Sequence, residues 1–192
     1  MKAVRVILSD RPLPEENRLV HQAAAGDADA FAQLYDAYFE RVYRYVYFRV
    51  NDDASAEDLS SQVFLKAWEH LDRYKPGGSP FLAWLYTIAR NQVIDHYRTH
   101  KESVSLEDAI SLPARGQAVD EEVQTKFDAE AVREALKSLT EEQAQVLILK
   151  FISGFDTHEI ARQMKKGEGA IRALQMRGLQ TLTKLMQEKG LR

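Results

Sequence analysis

The feature that most constrains this chain is an apolar repeat of helical period that never gives way to alternation. From Asp27 onward, Phe31, Leu34, Tyr35, Tyr38, Val42, Tyr45 and Val46 recur at spacings of three and four. That gathers them into one stripe along a 3.6-residue helix. No segment shows the sustained two-residue period of a half-buried strand, so the expected fold class is all-α. Five prolines punctuate the pattern: Pro12 and Pro14 in an N-terminal tail, Pro76 and Pro80 around a glycine pair, and Pro113 further on.

A break at Asn51-Asp52-Asp53 precedes a second helix, predicted from Ser55 as N-cap to Tyr74, with Glu57 and Asp58 in its first turn. Leu59, Val63, Ala67 and Leu71 share one side of it, with Phe64 and Trp68 beside them. Lys75 to Pro80, KPGGSP, reads as a loop, and Ser79-Pro80 as the N-cap and first position of a third helix. That helix is expected to turn Phe81, Trp84, Leu85 and Ile88 inward and to run to about Lys101.

Residues 102–128 hold seven acids against two bases, with little periodicity, and read as an acidic flexible linker. The helical pattern resumes at Ala129. Thr140 followed by Gln143 forms a capping box ahead of Val146, Leu147, Leu149 and Phe151. Gly154 ends that helix. Asp156 and Thr157 can each cap a short one, with Glu159 three beyond Asp156; it bears Ile160, Ala161 and Met164 and ends at Lys165-Lys166-Gly167. A longer helix from Gly169 to about Gln187 carries Ile171, Leu174, Leu179, Leu182 and Leu185. The expected organisation is a flexible tail (1–14), a helical domain (15–101), the linker (102–128) and a second helical domain (129–192).

Charge divides along the chain. The whole carries a formal −3, which excludes a uniformly basic nucleic-acid binder. From Arg162 to the C-terminus, however, eight bases face only Glu168 and Glu188. Two helices joined by a short turn containing Gly167 have helix-turn-helix geometry, with Ala161 small at the close approach and Ile160, Ile171 and Leu174 filling the angle. Alone, that pattern fits an ordinary helical hairpin with a solvated face as well as a helix that reads DNA. The third helix has a second surface of Thr87, Asn91, Ile94 and Arg98, flanked by Arg90, Asp95 and Tyr97. Donors, cations and a ring together suit an unstacked single strand, though a half-buried face is the plainer alternative.

The absence of cysteine excludes a disulfide framework, a thiolate metal site and a Cys nucleophile. No apolar run approaches the ~20 residues needed to span a bilayer, so no membrane insertion and a cytoplasmic location are expected. Of five histidines only His96 and His100 stand at i, i+4, so no metal, no cofactor and no metal-dependent hydrolase built around Asp95-His96 is expected.

Three stretches then point one way: AEDLSSQVFLKAWEHLDRY, FLAWLYTIARNQVIDHYR, and LTEEQAQVLILKFISGFDTHEIARQMKKGEGAIRALQMRGLQTL. In this order they resemble bacterial RNA polymerase sigma factors of the sigma-70 superfamily. The two-domain form resembles the extracytoplasmic-function (ECF) group. The first two stretches resemble sigma region 2 and the third resembles region 4.

The resemblance implies an alternative sigma factor that binds core RNA polymerase and directs promoter-specific initiation. Glu57, Asp58, Leu59 and Gln62 would dock on the polymerase clamp helices; the family often has an acid where Gln62 stands. The loop from Tyr74 and Lys75 to Pro80, with Asn91, would take a base flipped from the minus-ten element, and Arg90, Asp95 and Arg98 would follow the opened strand. The linker would thread into the polymerase channels. Lys166, Arg172, Gln175, Met176 and Arg177 would face the minus-thirty-five element. Leu174 replaces a base common in relatives, leaving packing or a thymine-methyl contact for it. An anti-sigma factor is implied as a further partner. The alternative is a two-domain helix-turn-helix regulator, whose sensor domain would have no reason to carry AEDLSSQVF or IARNQVIDHYR.

Overall fold

The computed structural model describes residues 13, 15–76, 79–103 and 121–188, and every regular element among them is helical. In the first domain α1 (Glu16–Ala24), α2 (Ala28–Tyr47), α3 (Asp53–Glu69) and α4 (Phe81–Ser103) surround one core, with a 3₁₀ turn at Leu71–Arg73 after α3. Asp27 caps α2, its carboxylate accepting from the N–H groups of Asp29 and Ala30 at 3.0 Å each. The apolar stripe of α2 lies inward as its spacing requires: Leu34, Tyr38, Val42, Tyr45 and Val46 are all buried.

Two boundaries differ from the sequence expectation. Asp52, not Ser55, is the N-cap of α3; its carboxylate accepts from both the backbone N–H and the hydroxyl of Ser55 at 2.8 Å. A carboxylate suits the positive end of the helix dipole better than a hydroxyl. The Ser55 N–H in turn holds the Asp52 carboxyl below its ordinary range. The α-helix also ends at Glu69 rather than Tyr74. Helical spacing survives the break because the 3₁₀ turn still directs Leu71 into the core.

Helix α1 was not separated from its surroundings by the sequence. It is nine residues long, too short for a repeat, yet Leu19, Val20 and Ala23 are buried. Leu13, from the expected tail, packs against the same core; residues 1–12 and 14 lie outside the described residues. Glu16 ties α1 to two other helices: its carboxylate accepts from the Tyr38 hydroxyl and lies 3.5 Å from the Phe81 N–H that opens α4. On α4, Phe81, Leu85, Tyr86, Ala89 and Val93 are buried, whereas Trp84 and Ile88, expected inward, are only half-buried at its edge. The expected stripe sits about one position off the true core face, which centres on Tyr86.

The second domain contains α5 (Glu121–Leu136), α6 (Glu141–Leu147), which widens into a π-helical turn over Ile148–Ile152, α7 (Thr157–Met164) and α8 (Glu168–Glu188). Helix α5 begins at Glu121, inside the segment read as linker, so residues 121–128 are helical. Their charge suggested a solvated coil, but acids are well placed in the first turn of a helix. The linker expectation for 104–120 falls outside the described residues. Both capping boxes form: Thr140 with Gln143 and Asp156 with Glu159. Ile148, Leu149, Ile160 and Ile171 are fully buried between α6, α7 and α8. Leu179, expected on the apolar face, is 40% exposed.

The two domains pack directly on one another. The Tyr45 hydroxyl donates to Gln145 Oε1 at 2.7 Å, and the rings of Tyr86 and Phe155 meet edge to face at 5.6 Å. Among the described residues no helix is long and apolar enough to cross a membrane.

Candidate nucleic-acid and polymerase interface

Three surfaces gather the residues singled out by sequence. The first is the corner of α7 and α8. Lys165 takes the left-handed conformation (φ 52°) that ends α7, and the Lys166 N–H returns to the Ala161 carbonyl at 2.9 Å. Gly167, expected to permit the turn, has an ordinary negative-φ backbone and open space where a Cβ would stand. The turn is therefore made two residues earlier, on a lysine. From there α8 presents Arg172, Met176 and Arg177 to solvent, with Gln175 half-buried behind them. Arg172 pairs with Glu168 one turn back at 2.7 Å, and Lys166 with Glu142 at 2.9 Å. Leu174 packs against the core, so packing is the role the structure gives it.

The second surface lies along α4 and the loop before it. Tyr74 is buried; its hydroxyl donates to the Ser79 carbonyl at 2.7 Å and its ring packs on Phe81 and Trp84. That arrangement shapes the loop rather than presenting the ring, and burial pushes the Tyr74 phenol up to about 12. Lys75, Arg90, Asn91 and Arg98 are exposed. Asp95 and Arg98 pair at 3.4 Å on the helix surface, and Arg90 reaches Glu141 of α6 at 2.7 Å.

The third surface is the outer face of α3. Glu57, Asp58 and Gln62 are exposed, while Leu59 is buried and belongs to the core behind them. Gln62 accepts from the Gln92 amide at 2.9 Å, which fixes its side chain against α4. Sequence reading missed Leu65, which is 58% exposed on this face; Trp68, expected beside the inward side, is 37% exposed with its ring against Phe31 at 4.8 Å. An apolar residue off the buried stripe was the available signal.

Two family models match in chain order: sigma-70 region 2 over residues 34–103 and sigma-70 region 4 over residues 129–182. The ECF RNA polymerase sigma factor SigL of Mycobacterium tuberculosis is 30% identical over 173 residues, 89% of this chain and 97% of SigL. The chain belongs to the ECF sigma factors.

The ECF sigma factor BldN of Streptomyces coelicolor is 39% identical over 170 residues, 88% of this chain; the chain spans 64% of that relative's length. Among solved structures, CnrH in complex with the cytosolic domain of CnrY superposes with a TM-score of 0.69 at 23% identity, covering 89% of this chain and 96% of CnrH. That likeness is one of fold. In this ECF sigma factor the region 2 match begins within α2 at Leu34 and ends with α4, so α1 precedes it. The region 4 match begins inside α5 and takes in α6, α7 and most of α8.

Sequence reading also missed a set of buried polar residues between the regions. Gln145 is 2% exposed and Arg133 8%. Arg133 Nη1 lies 3.0 Å from Asp53 Oδ1, with its guanidinium 4.4 Å over the Tyr47 ring. Each is a polar residue on an otherwise apolar face, a signal that names no partner.

Proposed function

We propose that this ECF sigma factor is an alternative initiation subunit that binds core RNA polymerase, directs it to one class of promoter and helps open the duplex there. Catalysis stays with the polymerase. The α3 face, acidic at Glu57 and Asp58 and apolar at Leu65 and Trp68, is the docking surface for the polymerase. Lys75, Arg90, Asn91, Asp95 and Arg98 hold the opened minus-ten strand, over a loop shaped by Tyr74. Lys166, Arg172, Gln175, Met176 and Arg177 read the minus-thirty-five element from the major groove. Opening is driven by binding energy: trapping an unstacked base offsets the few kcal/mol, roughly, that unstacking costs.

One observation carries this reading. Two family regions stand in order on separate domains with opposite surface chemistry, acids and exposed apolar groups on α3 and cations on α8. Two signs of charge suit two partners. The compartment is the cytoplasm, where the polymerase works. An anti-sigma protein covering the α3 or α8 face would silence the factor.

Sedimentation of the purified chain with core polymerase tests the reading. A one-to-one complex that forms without DNA is expected. A chain that ignores the polymerase and binds palindromic DNA as a dimer would instead be a conventional helix-turn-helix regulator.

A further inference from the structure

We infer that Glu168 is a positioning residue for promoter reading. Its carboxylate bridges His158 and Arg172 and holds the Arg172 guanidinium ready to grip the edge of a guanine. This rests on the reading of α8 as the minus-thirty-five helix, and it names the residue that sets selectivity at one base pair.

Charge makes Glu168 conspicuous. From Arg162 to the C-terminus only Glu168 and Glu188 oppose eight bases, and Glu168 is the first residue of α8. A carboxylate at the end of a helix that meets DNA repels the phosphates on which affinity depends. It returns little to the fold, because an exposed i, i+4 ion pair is weak. The Glu168 and Arg172 side chains are 41% and 67% exposed. The helix dipole favours an acid in the first turn, yet it asks for no particular partner.

What distinguishes Glu168 is its pair of partners. Its two oxygens are used separately: Oε1 lies 3.3 Å from His158 Nδ1 on α7, and Oε2 accepts from Arg172 Nη2 at 2.7 Å. One side chain thus spans the corner, fixed from α7 and reaching one turn along α8. A mobile arginine loses rotamer freedom when it binds, and one already held by Glu168 has less to lose. Glu168 occupies a single N–H of the guanidinium, which leaves donors enough for a two-bond contact. In the major groove that contact is the one arginine makes with O6 and N7 of guanine.

The same acid works against wrong sequences. Where no guanine faces Arg172, the Glu168 charge stands beside the phosphates without compensation. Discrimination then has a repulsive part as well as an attractive one.

The probe that tests this is a pool of duplex genomic fragments from the same bacterium, bound by the full chain together with core polymerase. Retained fragments define the upstream element, which is then substituted one base pair at a time. Arg172→Ala identifies the pair that Arg172 reads, as the one G·C pair whose preference disappears. Glu168→Ala is expected to lower the preference at that same pair about tenfold, within the range a bidentate contact supplies. Preferences at the other pairs should stay as they are, and affinity for fragments lacking the element should rise. Glu168→Gln, whose amide oxygen can still accept from Arg172, should keep part of the preference.

Unchanged preference at the Arg172 pair in Glu168→Ala overturns the inference. So does an equal loss at every pair, which an acid serving only the fold would give. Loss at a different pair would make Glu168 itself the reader of a base. Equal loss in Glu168→Gln and Glu168→Ala would leave charge, not position, as the cause. Arg172→Ala that affects no single pair removes the contact Glu168 is said to position. All of these appear in a wild-type chain that selects promoters. A folded wild-type chain that retains no fragment with core polymerase overturns the sigma-factor reading instead, and the inference with it.

Discussion

A Cβ built on Gly178 would lie 3.0 Å from Leu147 Cδ1, so the middle of α8 rests on α6 with no room for a side chain between them. The candidate recognition helix is thereby set by direct contact of its backbone with the Leu147 side chain. Gly178→Ala gains helix propensity of ~1 kcal/mol but forces Leu147 to move, and the two effects offset to leave stability within about 1 kcal/mol of wild type. Gly178→Leu has no such compensation and is expected to cost roughly 1–3 kcal/mol. Urea denaturation of both variants checks the order; equal stabilities would mean that α8 does not rest on α6 at this point.

Replacing Arg172 and Arg177 by Ala should weaken promoter binding without touching polymerase binding. Both side chains are exposed on α8, and Arg172 leans on nothing beyond its own helix in the contact with Glu168. If each meets one phosphate, the slope of log affinity against log salt falls by about 0.9 per residue. If one reads a base edge, about 1–3 kcal/mol of sequence discrimination is lost instead. Holoenzyme binding to promoter fragments over a salt series separates these. A loss of polymerase affinity with the fold unchanged would contradict the division of labour between the domains.

The α3 face makes the reciprocal prediction. Glu57→Ala with Asp58→Ala, and separately Leu65→Ser, should each lower affinity for core polymerase, the acidic pair more at low salt than at high. None of these side chains is buried, so thermal stability should stay within ±0.5 kcal/mol or so. Sedimentation against core polymerase at two salt concentrations measures it; equal loss at both would remove electrostatics from that contact.

Much of the fold was legible in the sequence because its signals are local. Thr140 with Gln143 and Asp156 with Glu159 announce helix starts within one turn, and the stripe on α2 needs only its own spacing. What the sequence hid was the choice among neighbours. Asp52 and Ser55 are both good caps, and the dipole favours the carboxylate. Lys165 and Gly167 both stand at the corner, and the lysine takes the left-handed turn that glycine was expected to supply. The candidate site was legible as exposed polar residues at helical spacing, yet Tyr74, grouped with them, is buried. Gln145 was unreadable for a different reason: its partners are Tyr45 on α2, 100 positions away, and Arg49 in the turn that follows α2. Nothing local could reveal that the domains pack on one another.

Alkaline pH should destabilise the protein. Burial pushes the phenols of Tyr74 and Tyr86 up to about 12, and burial with the Glu16 carboxylate pushes Tyr38 higher still. An unfolded tyrosine ionises near 10. The folded state therefore keeps protons that the unfolded state releases. Their stabilisation is complete below about pH 10 and is lost as pH rises toward 12. Urea midpoints should be level from pH 8 to 9.5 and fall above pH 10, with phenolate absorbance appearing together with unfolding. Ionisation of all eight tyrosines near pH 10 in a chain that stays folded would contradict the burial.

The central claim is that this chain gives core polymerase its choice of promoter. Run-off transcription with the purified protein, core polymerase and genomic promoter fragments from the same bacterium tests it most directly. The account predicts transcripts from one defined class of start sites that appear only when the protein is added and vanish with Arg172→Ala and Arg177→Ala together. No new start site, from a folded protein that nonetheless shifts promoter DNA unaided, would contradict it.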